Sequence, residues 1–488
     1  MNHVEVRAGA YADSVTLLQV SRSVGAEPGV EAAMVAMGTP LNLELLTDMG
    51  FATPNAGPND MVVAIRLATD GDLDTARAAV DQALADARRT PAAGPVDLAP
   101  PRTTASALRN SDATLALISV PGPHAFVEAM DAVAAGRDVM VFSDNVPLDQ
   151  EVRLKTAAAE RGVLVMGPDC GTAVVDGLGL GFANAVRPGP VGVVSASGTG
   201  CQQVLSLLDA AGVGITAALG VGGRDLSEPV GGMSTRRALR RLDADPATAL
   251  IAVVSKPPAR AVAAELAGFA SELSTPVEFL LLGRGEPDLT AGTERVLAAL
   301  DRPGPTWPTW GERAASSRSG YLRGLFGGGT LCDEAMVIAS EILGPVRSNI
   351  PLEPDLGLDA SLTAPAHLMI DFGDDTMTSG RAHPMIDSTL RLEHLERFAS
   401  DPDTAVLLLD VVLGHGAHPD PAADLGPAIQ SAVEGGIPVV VALVGTAGDP
   451  QGLEAQATAL AAAGAEVCAS NAGATRRAVA LVGEEGPS

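Results

Sequence analysis

RGVLVMGPDCGTAVVDGLGLGFANAVRPGPVGVVSASGTGCQQV, residues Arg161 to Val204, is the stretch whose reading decides the fold. Val191 to Val194 has the unbroken apolar character of a buried strand, Ser195 to Gly200 is a run of small residues, and Cys201 to Ala211 reads as a helix. Strand, glycine turn and helix start therefore follow one another. Such a turn aims unpaired backbone N–H groups past the sheet edge, where the helix dipole favours an anion. Ser195, Ser197 and Thr199 add hydroxyls, and Gly198 and Gly200 let a ligand approach the backbone closely. The same small residues also suit a plain strand-to-helix connection, so both readings stand at this point. Upstream, Gly167-Pro168-Asp169-Cys170-Gly171 follows the apolar run Val163 to Met166 and makes a second loop of phosphate size, with Gly167 and Asp169 as candidate contacts.

Outward from this stretch the chain keeps one rhythm. Toward the amino terminus, Thr114 to Val120, His124 to Ala135, Asp138 to Phe142, Leu148 to Arg161 and Val163 to Met166 alternate strand and helix, which implies a parallel sheet. Pro121-Gly122 and Ser143 to Asn145 stand at strand ends, either lining a site or serving as turn and cap residues. Before the Pro/Ala-rich Thr90 to Pro101, strands His3 to Arg7, Val30 to Met37 and Met61 to Ala68, with helices Asp13 to Val24 and Leu73 to Ala87, suggest a small α+β sandwich of ferredoxin-like type. Asn55 to Asp60 reads as a structural turn.

Toward the carboxyl terminus, Ile215 to Leu219, Ala249 to Val254 and Val277 to Leu282 extend the strand set, with Gly222-Gly223-Arg224 and Lys256 at strand ends. Arg224 offers a bidentate fork for a carboxylate or phosphate, or is an exposed surface arginine. Ser234 to Arg237 sits in a helical run, so its partial likeness to a carbamoyl phosphate motif reads as coincidence. After the Pro/Ser-rich Arg302 to Ser319, Gly327-Gly328-Gly329-Thr330 is another candidate anion turn. HLMIDFGDDTMTSGRAHPMIDSTLR then places Asp371, Asp374 and Asp375 after a strand, and Arg381, His383 and Asp387 in the following loop and helix start. Carboxylates near an imidazole bind a divalent cation or act as general acid and base; an Asp-rich capping loop has the same composition. His415 stands just past the strand Val406 to Val412, and with His383 and Asp387 completes the candidate catalytic set.

GPDCGTAV, RPGPVGVVSASGTG and ALGVGGRDLSEPVGG together resemble the alpha subunit of succinyl-CoA synthetase and the wider NDP-forming acyl-CoA synthetase superfamily, and the HLMIDFGDDTMTSGRAHP signature resembles the FdrA family. The resemblance implies an α/β chain: a small α+β domain at 1–100, a Rossmann-like half domain at 101–188, and two flavodoxin-like, succinyl-CoA synthetase-like domains at 189–301 and 320–488. These two should face each other across a cleft floored by helix amino termini. It further implies a cytoplasmic subunit of an oxamate carbamoyltransferase in ureide catabolism, or alternatively an NDP-forming acyl-CoA synthetase subunit or a non-catalytic scaffold. The small anions to be bound would be oxamate, carbamoyl phosphate or phosphate, in a homo-oligomer that also joins co-encoded subunits.

Two departures qualify that inheritance. The amino-terminal G-x-x-G-x-x-G type loop that grips CoA in the synthetases is missing, so CoA binding is not carried over; Mg²⁺ is the one cofactor the carboxylates suggest. Where the synthetases carry their phosphohistidine, this chain has Gly283-Arg284-Gly285-Glu286, and no histidine lies between His124 and His367.

Composition bounds the remaining classes. The 488 residues are 47% hydrophobic but 3% aromatic, with 54 Gly, which suits several small α/β units with many tight turns. Lys+Arg number 32 against 59 Asp+Glu, and the resulting charge of -27 disfavours nucleic acid and anionic membranes as partners. Four scattered cysteines, Cys170, Cys201, Cys332 and Cys468, suggest neither a disulfide framework nor a zinc site. No apolar stretch is long enough to span a membrane and no charged leader opens the chain, which points to the cytoplasm.

Overall fold

Thr404–Val412, TAVLLLDVV, has no polar and apolar alternation, and all nine residues are buried. A strand covered by helices on both faces has this composition. The computed structural model describes residues 2–10, 12, 14–68, 72–87, 101–314, 317–378 and 381–483, and the chain divides into two compact units, Met1–Pro100 and Pro101–Ser488. The linker expected at Thr90 to Pro101 lies outside the described residues apart from Pro101.

The first unit runs β1 (Asn2–Arg7), α1 (Ser14–Gly25), β2 (Val30–Met37), α2 (Pro40–Asp48), β3 (Met61–Leu67) and α3 (Leu73–Ala87). Its antiparallel sheet has the order β1-β3-β2, a ferredoxin-like arrangement of three strands. β3 is covered on both sides: Val63 and Ile65 pack with Leu17, Val20 and Val80 from α1 and α3, whereas Val62 and Ala64 pack with Leu46 and Phe51. Helix α2 was not expected, although Thr39 caps it by accepting from Asn42 N. Asp60 closes the Asn55 to Asp60 turn, accepting from Gly57 N and Gly9 N.

In the second unit, α4 (Thr104–Arg109) precedes β4 (Leu115–Ile118), α5 (Gly122–Ala134), β5 (Asp138–Val141), α6 (Leu148–Arg161) and β6 (Val165–Met166), a three-stranded parallel Rossmann-like half. There follow β7 (Thr172–Val175), β8 (Leu178–Gly181), β9 (Pro188–Ala196), α7 (Gly198–Ala210), β10 (Ile215–Gly220), α8 (Met233–Asp243), β11 (Leu250–Ser255), α9 (Arg260–Ala270), β12 (Val277–Leu281) and α10 (Leu289–Ala299). They build a six-stranded sheet of order β12-β11-β9-β10-β7-β8. Its four-stranded parallel part is flavodoxin-like; β7 and β8 are an antiparallel hairpin added at its edge. Asp176 and Gly177, both at positive φ, make the hairpin's two-residue turn.

The last sheet is built from β13 (Thr309–Trp310), β14 (Tyr321–Phe326), α11 (Gly329–Leu343), β15 (Val346–Ser348), β16 (His367–Asp371), α12 (Asp375–Thr378), α13 (Thr389–Ala399), β17 (Thr404–Val412), α14 (Pro421–Glu434), β18 (Val439–Val444), α15 (Leu453–Ala462), β19 (Glu466–Cys468) and α16 (Asn471–Ala480). Its order is β13-β19-β18-β17-β14-β16-β15, parallel except for β13. Leu407, Leu409 and Val411 face one apolar layer and Val406, Leu408 and Val412 the other. At roughly 1.5–3 kcal/mol for each fully buried aliphatic side chain, this central strand anchors the sheet. Polar contacts lock the two flavodoxin-like parts together: Asn184 Nδ2 donates to Asp449 Oδ2 at 2.8 Å, and Thr446 Oγ1 to Ala185 O at 2.7 Å. No helix among the described residues is long and apolar enough to cross a membrane.

Candidate active site

The opening turn of α7 is built differently from the expected loop. Strand β9 continues through Ser195 and Ala196, and Ser197 is the N-cap, its Oγ accepting from Gly200 N at 2.9 Å. The helix therefore starts at Gly198, three residues before the expected Cys201. Low helix propensity of glycine suggested a loop, but a first turn needs no intrahelical N–H partner, so the serine cap decides. Ser195 is buried and donates to Ser197 O at 2.7 Å, a structural use of its hydroxyl. Gly198 and Thr199 bring their amides to the helix end.

Helix α11 presents the matching end from the second flavodoxin-like part. Gly328 is its N-cap, and Gly327 N and Gly328 N donate to the two oxygens of Asp410 at 2.8 Å each. Asp410 also meets Arg391 at 3.0 Å. The amides expected to take an external anion here are thus already bonded to a buried strand residue, which leaves those of Gly329 and Thr330. The two helix ends touch: Ser197 Oγ donates to Thr330 Oγ1 at 2.6 Å. A β-carbon on Gly328 would lie 2.7 Å from Thr199 Oγ1, and one on Gly329 would lie 2.6 Å from Asp371 Oδ2 and 3.1 Å from Lys256 Nζ. Glycine is required at both positions for this approach.

Around that junction stands a cluster of carboxyls with one lysine. Lys256 Nζ is 3.7 Å from Asp333 Oδ2, and its side chain is 41% exposed. Burial works to lower its pKa, but Asp333, Asp371 and Asp169 outweigh it and the net shift is upward. Asp371 is raised to about 7, chiefly by burial, against the opposing pull of Lys256 and the Gly373 amide. Asp169 is also raised to about 7 by burial and by Asp375, and Asp333 to about 6 by burial. A cation beside carboxyls that titrate near neutrality can hold an anion and exchange a proton with it.

His383 belongs to this neighbourhood. A β-carbon on Gly373 would meet His383 Nε2 at 2.8 Å and Asp371 Oδ1 at 3.2 Å. Burial lowers the imidazole to about 4, and Nδ1 accepts from Met385 N, so the neutral ring carries its proton on Nε2. The other expected catalytic residues have different surroundings. His415 is exposed and its backbone bridges Ala183. Asp387 accepts from the amide and hydroxyl of Thr389, which makes it a turn-stabilising residue at the start of α13. Arg381 is exposed.

The remaining loop candidates mostly serve the crossing of two chain segments. Gly167 (φ +92) would place a β-carbon 2.3 Å from Val141 O, and Gly222 (φ +91) one 2.4 Å from Pro168 O. Gly223 lies beside Asp169, 3.6 Å from Oδ2 to the position of its absent β-carbon. Arg224 is neither a free fork nor a bare surface residue: it donates to Glu151 Oε2 at 3.0 Å and to Val146 O at 2.7 Å. Glu151 in turn holds Lys155, which reaches Asp225 Oδ1 at 2.7 Å and Val221 O at 2.9 Å. Asp225 caps α8 through Ser234 N and Thr235 N, which accounts for the Ser234 to Arg237 segment.

Pro121-Gly122 and Ser143 to Asn145 prove to be packing turns. A β-carbon on Gly122 would lie 2.1 Å from Asp144 O, and Ser143 Oγ is bonded to Val120 O. The chain itself fills the head of α5, so the residues present do not form a phosphate cradle for CoA there. Among the described residues no three His, Cys, Asp or Glu side chains converge to hold a metal ion. All four cysteines are buried; burial raises Cys201 to about 12 and Cys468 to about 11, so neither supplies a thiolate.

Asp333, Asp410, Glu151 and Lys155 are not singled out as site residues in the sequence, and Thr330 only as the end of a glycine turn. Asp410 left a signal, a lone carboxylate inside an apolar strand, and Thr330 stood in a noted glycine turn. The others sit in helices, where charge reads as a solvated face.

Residues 1–98 match the family described as AllF, heavy metal-associated domain, and residues 325–481 match CoA-ligase. The first stretch contains no cysteine and one histidine, His3. The uncharacterized protein YahF of Escherichia coli K12 is 37% identical over 514 residues, spanning 99% of each chain. A succinate–CoA ligase [ADP-forming] subunit alpha 2 of Archaeoglobus fulgidus is 32% identical over 187 residues, 37% of this chain and 63% of that subunit. The chain thus spans less than two thirds of the ligase subunit. Among solved structures, the dinucleotide-forming acetyl-coenzyme A synthetase 1 of Ca. Korarchaeum cryptofilum matches over 80% of this chain and 89% of its own at 16% identity and a TM-score of 0.30. None of these is a carbamoyltransferase. With 37% identity to YahF over nearly the full length of both chains, the chain belongs to the same FdrA-like family, and it carries a CoA-ligase domain behind an AllF-type amino-terminal domain.

Proposed function

We propose that this chain is the acyl-transferring part of an acid–thiol ligase type enzyme and holds the phosphate of a small acyl phosphate, such as that of succinate, where α7 and α11 meet. The observation that carries the reading is the convergence of the two helix ends, joined by the Ser197–Thr330 contact, on Lys256. First-turn amides and one ammonium oppose the charge of a phosphate group as it leaves. In the transfer, the acceptor nucleophile attacks the acyl carbon, the carbon–oxygen bond to phosphate breaks, and phosphate departs with the bonding pair. The acceptor's proton passes to Asp371, whose raised pKa lets it hold one near neutral pH. Nucleotide chemistry would lie on a partner chain. Carbamoyl transfer uses the same phosphate subsite with a different acyl group and acceptor.

The test supplies the chain, with its co-encoded partners, with succinyl-CoA and phosphate in one arm, and with carbamoyl phosphate and oxamate in the other. Phosphate-dependent thiol release that falls in a Lys256→Gln variant supports the reading. Turnover in the second arm alone moves it to carbamoyl transfer, and no turnover in either arm refutes it.

A further inference from the structure

The linker between the two flavodoxin-like parts builds a cavity of about 410 Å³ that none of the junction residues lines. Its walls are α10, the strand β13, and the start of α16. β13 pairs antiparallel with β19, Thr309 opposite Cys468 and Trp310 opposite Val467, so the linker is held as an extra sheet strand. The floor is polar and fixed: Thr290 Oγ1 and Ser470 Oγ are 2.7 Å apart. Both tryptophans of the chain, Trp307 and Trp310, line it. Their N–H groups are already spent, Trp307 on Glu294 at 2.9 Å and Trp310 on Glu454 at 3.0 Å. The rings are therefore held in place and offer the cavity their apolar surfaces.

Charge at the cavity is nearly all committed within the protein. Arg476 is paired with Asp288, and Arg477 forks onto Glu466 at 2.6 and 2.8 Å. Glu294 is engaged by Trp307. Arg313 alone among the lining arginines has neither an ion pair nor a hydrogen bond among the described residues, and it is exposed. Its backbone is nevertheless fixed, because the next residue bonds on both sides: Ala314 N donates to Glu466 Oε1 at 2.6 Å, and Ala314 O accepts from Arg477 at 2.8 Å. A guanidinium on an anchored backbone, lining the same cavity as two hydrogen-bonded indoles, selects a flat molecule with a carboxylate at one edge.

We propose that this cavity is a second ligand site, separate from the α7–α11 junction, for a small planar conjugated carboxylate whose ring lies against Trp307 and Trp310 and whose carboxylate is taken by Arg313. The volume suits one or two rings, near the lower end of the range for small-molecule pockets. The site rests on its own residues and does not depend on the reaction proposed above.

Because the chain's tryptophans are both in the cavity, intrinsic emission excited at the indole edge reports on it alone. The full chain is titrated with benzoate and with quinoline-2-carboxylate, with benzyl alcohol as the neutral control and acetate as the ringless one, and calorimetry repeats each titration. Saturable change with the aromatic carboxylates, weaker by about tenfold or more in Arg313→Ala and only partly restored by Arg313→Lys, is the expected result. Arg313 is exposed and has no ion pair or hydrogen bond among the described residues, so these variants keep their fold; circular dichroism checks that. The proposal is overturned if neither carboxylate saturates by about 20 mM, if benzyl alcohol binds as tightly as benzoate, or if Arg313→Ala binds like the wild type.

Discussion

Ser197 Oγ donates to Thr330 Oγ1 at 2.6 Å, so the cap residue of α7 is bonded to the first turn of α11. The two helix ends are nonetheless finished in different ways. α7 is capped by its own serine, which takes only the Gly200 amide, whereas α11 has Gly327 and Gly328 bonded to Asp410 from the neighbouring strand β17. This asymmetry makes the α7 end the more open donor, and it separates glycines that serve a ligand from glycines that serve packing.

Gly198 and Gly200 should respond oppositely to substitution. A β-carbon at Gly198 meets nothing nearer than Thr172 Oγ1 at 3.7 Å, whereas one at Gly200 falls 2.5 Å from Ser197 Oγ and 2.9 Å from Thr330 Cγ2. Gly198→Val is expected to cost about 1 kcal/mol or less in stability, yet to reduce turnover on the order of 10²-fold by covering the donor amides. Gly200→Ala is expected to cost about 1–3 kcal/mol by overpacking the junction. Melting curves alongside turnover separate the two, and a fully active Gly198→Val chain would mean the turn holds no ligand.

Lys256 carries the positive charge of the cluster and lowers the pKa of both Asp333 and Asp371. Lys256→Gln should leave the fold intact, since its side chain is 41% exposed. It should lower kcat/KM by roughly 10²-fold through loss of one oriented charge. With the ammonium gone, both carboxyls move further up, so the acid limb of the pH profile shifts to higher pH. An unmoved limb with unchanged kcat/KM removes Lys256 from the site.

The raised carboxyls also set a stability trend. Asp371 titrates at about 7 in the native state against roughly 3.9 unfolded, so between those values the folded chain holds a proton that the unfolded chain has released. Stability therefore falls as pH rises through this window, by at most about 1.4 kcal/mol per pH unit for the group. His383, lowered to about 4, works in the opposite direction: below roughly 6.5 the unfolded chain takes up a proton the native ring refuses, and stability falls as pH drops. From about pH 6.5 to 7 the carboxyl trend outweighs the fading histidine one. The melting midpoint should decline across that interval, and Asp371→Asn should lessen the decline while keeping an acceptor for Gly373 N, the remainder coming from Asp169 and Glu334, each raised to about 7 by burial. An equal slope in the variant contradicts the assignment.

Much of the architecture is readable because buried parallel strands are plain apolar runs closed by turn residues: Ile215 to Leu219 and Val277 to Leu282 appear within one residue of the expected bounds, and the helices Leu73 to Ala87 and Leu148 to Arg161 appear with them. The hairpin β7–β8 was passed over although Asp176-Gly177 between apolar flanks is a hairpin signal, because its strands join a sheet whose main strands come later in the chain. Ser197 and Gly198 were legible as a local motif of cap and glycine. The convergence of Lys256, Asp333 and Asp371 was not, since it depends on which strand ends two separate sheets bring together. His415, Asp387 and Arg381 have suitable chemistry at suitable strand or helix ends, and only the packing shows that His415 and Arg381 are exposed and that Asp387 is taken by Thr389.

The buried network behind Asp169 offers the sharpest stability test. Lys155 lies between Glu151 at 2.8 Å and Asp225 at 2.7 Å, with all three side chains at 1% exposure or less. Removing the lysine charge strands Asp225 in the interior without a cation, because Arg224, the one other cation on the network among the described residues, reaches Glu151 and not Asp225. Lys155→Met is therefore expected to cost about 3–5 kcal/mol, the penalty for breaking a buried pair from one side. Adding Asp225→Asn should recover part of that loss by removing the stranded charge, less what Asp225 contributes by capping α8 through Ser234 N and Thr235 N, whereas Glu151→Gln should recover less, since Arg224 still holds Glu151. Urea unfolding followed by tryptophan emission reads the second unit directly, because both tryptophans lie in it. Turnover should fall with stability in Lys155→Met, since Asp225 follows Arg224 on the loop whose Gly222 packs against Pro168 and so positions Asp169. A Lys155→Met chain as stable as the wild type would show that the network is solvated and that Asp169 is held by other means.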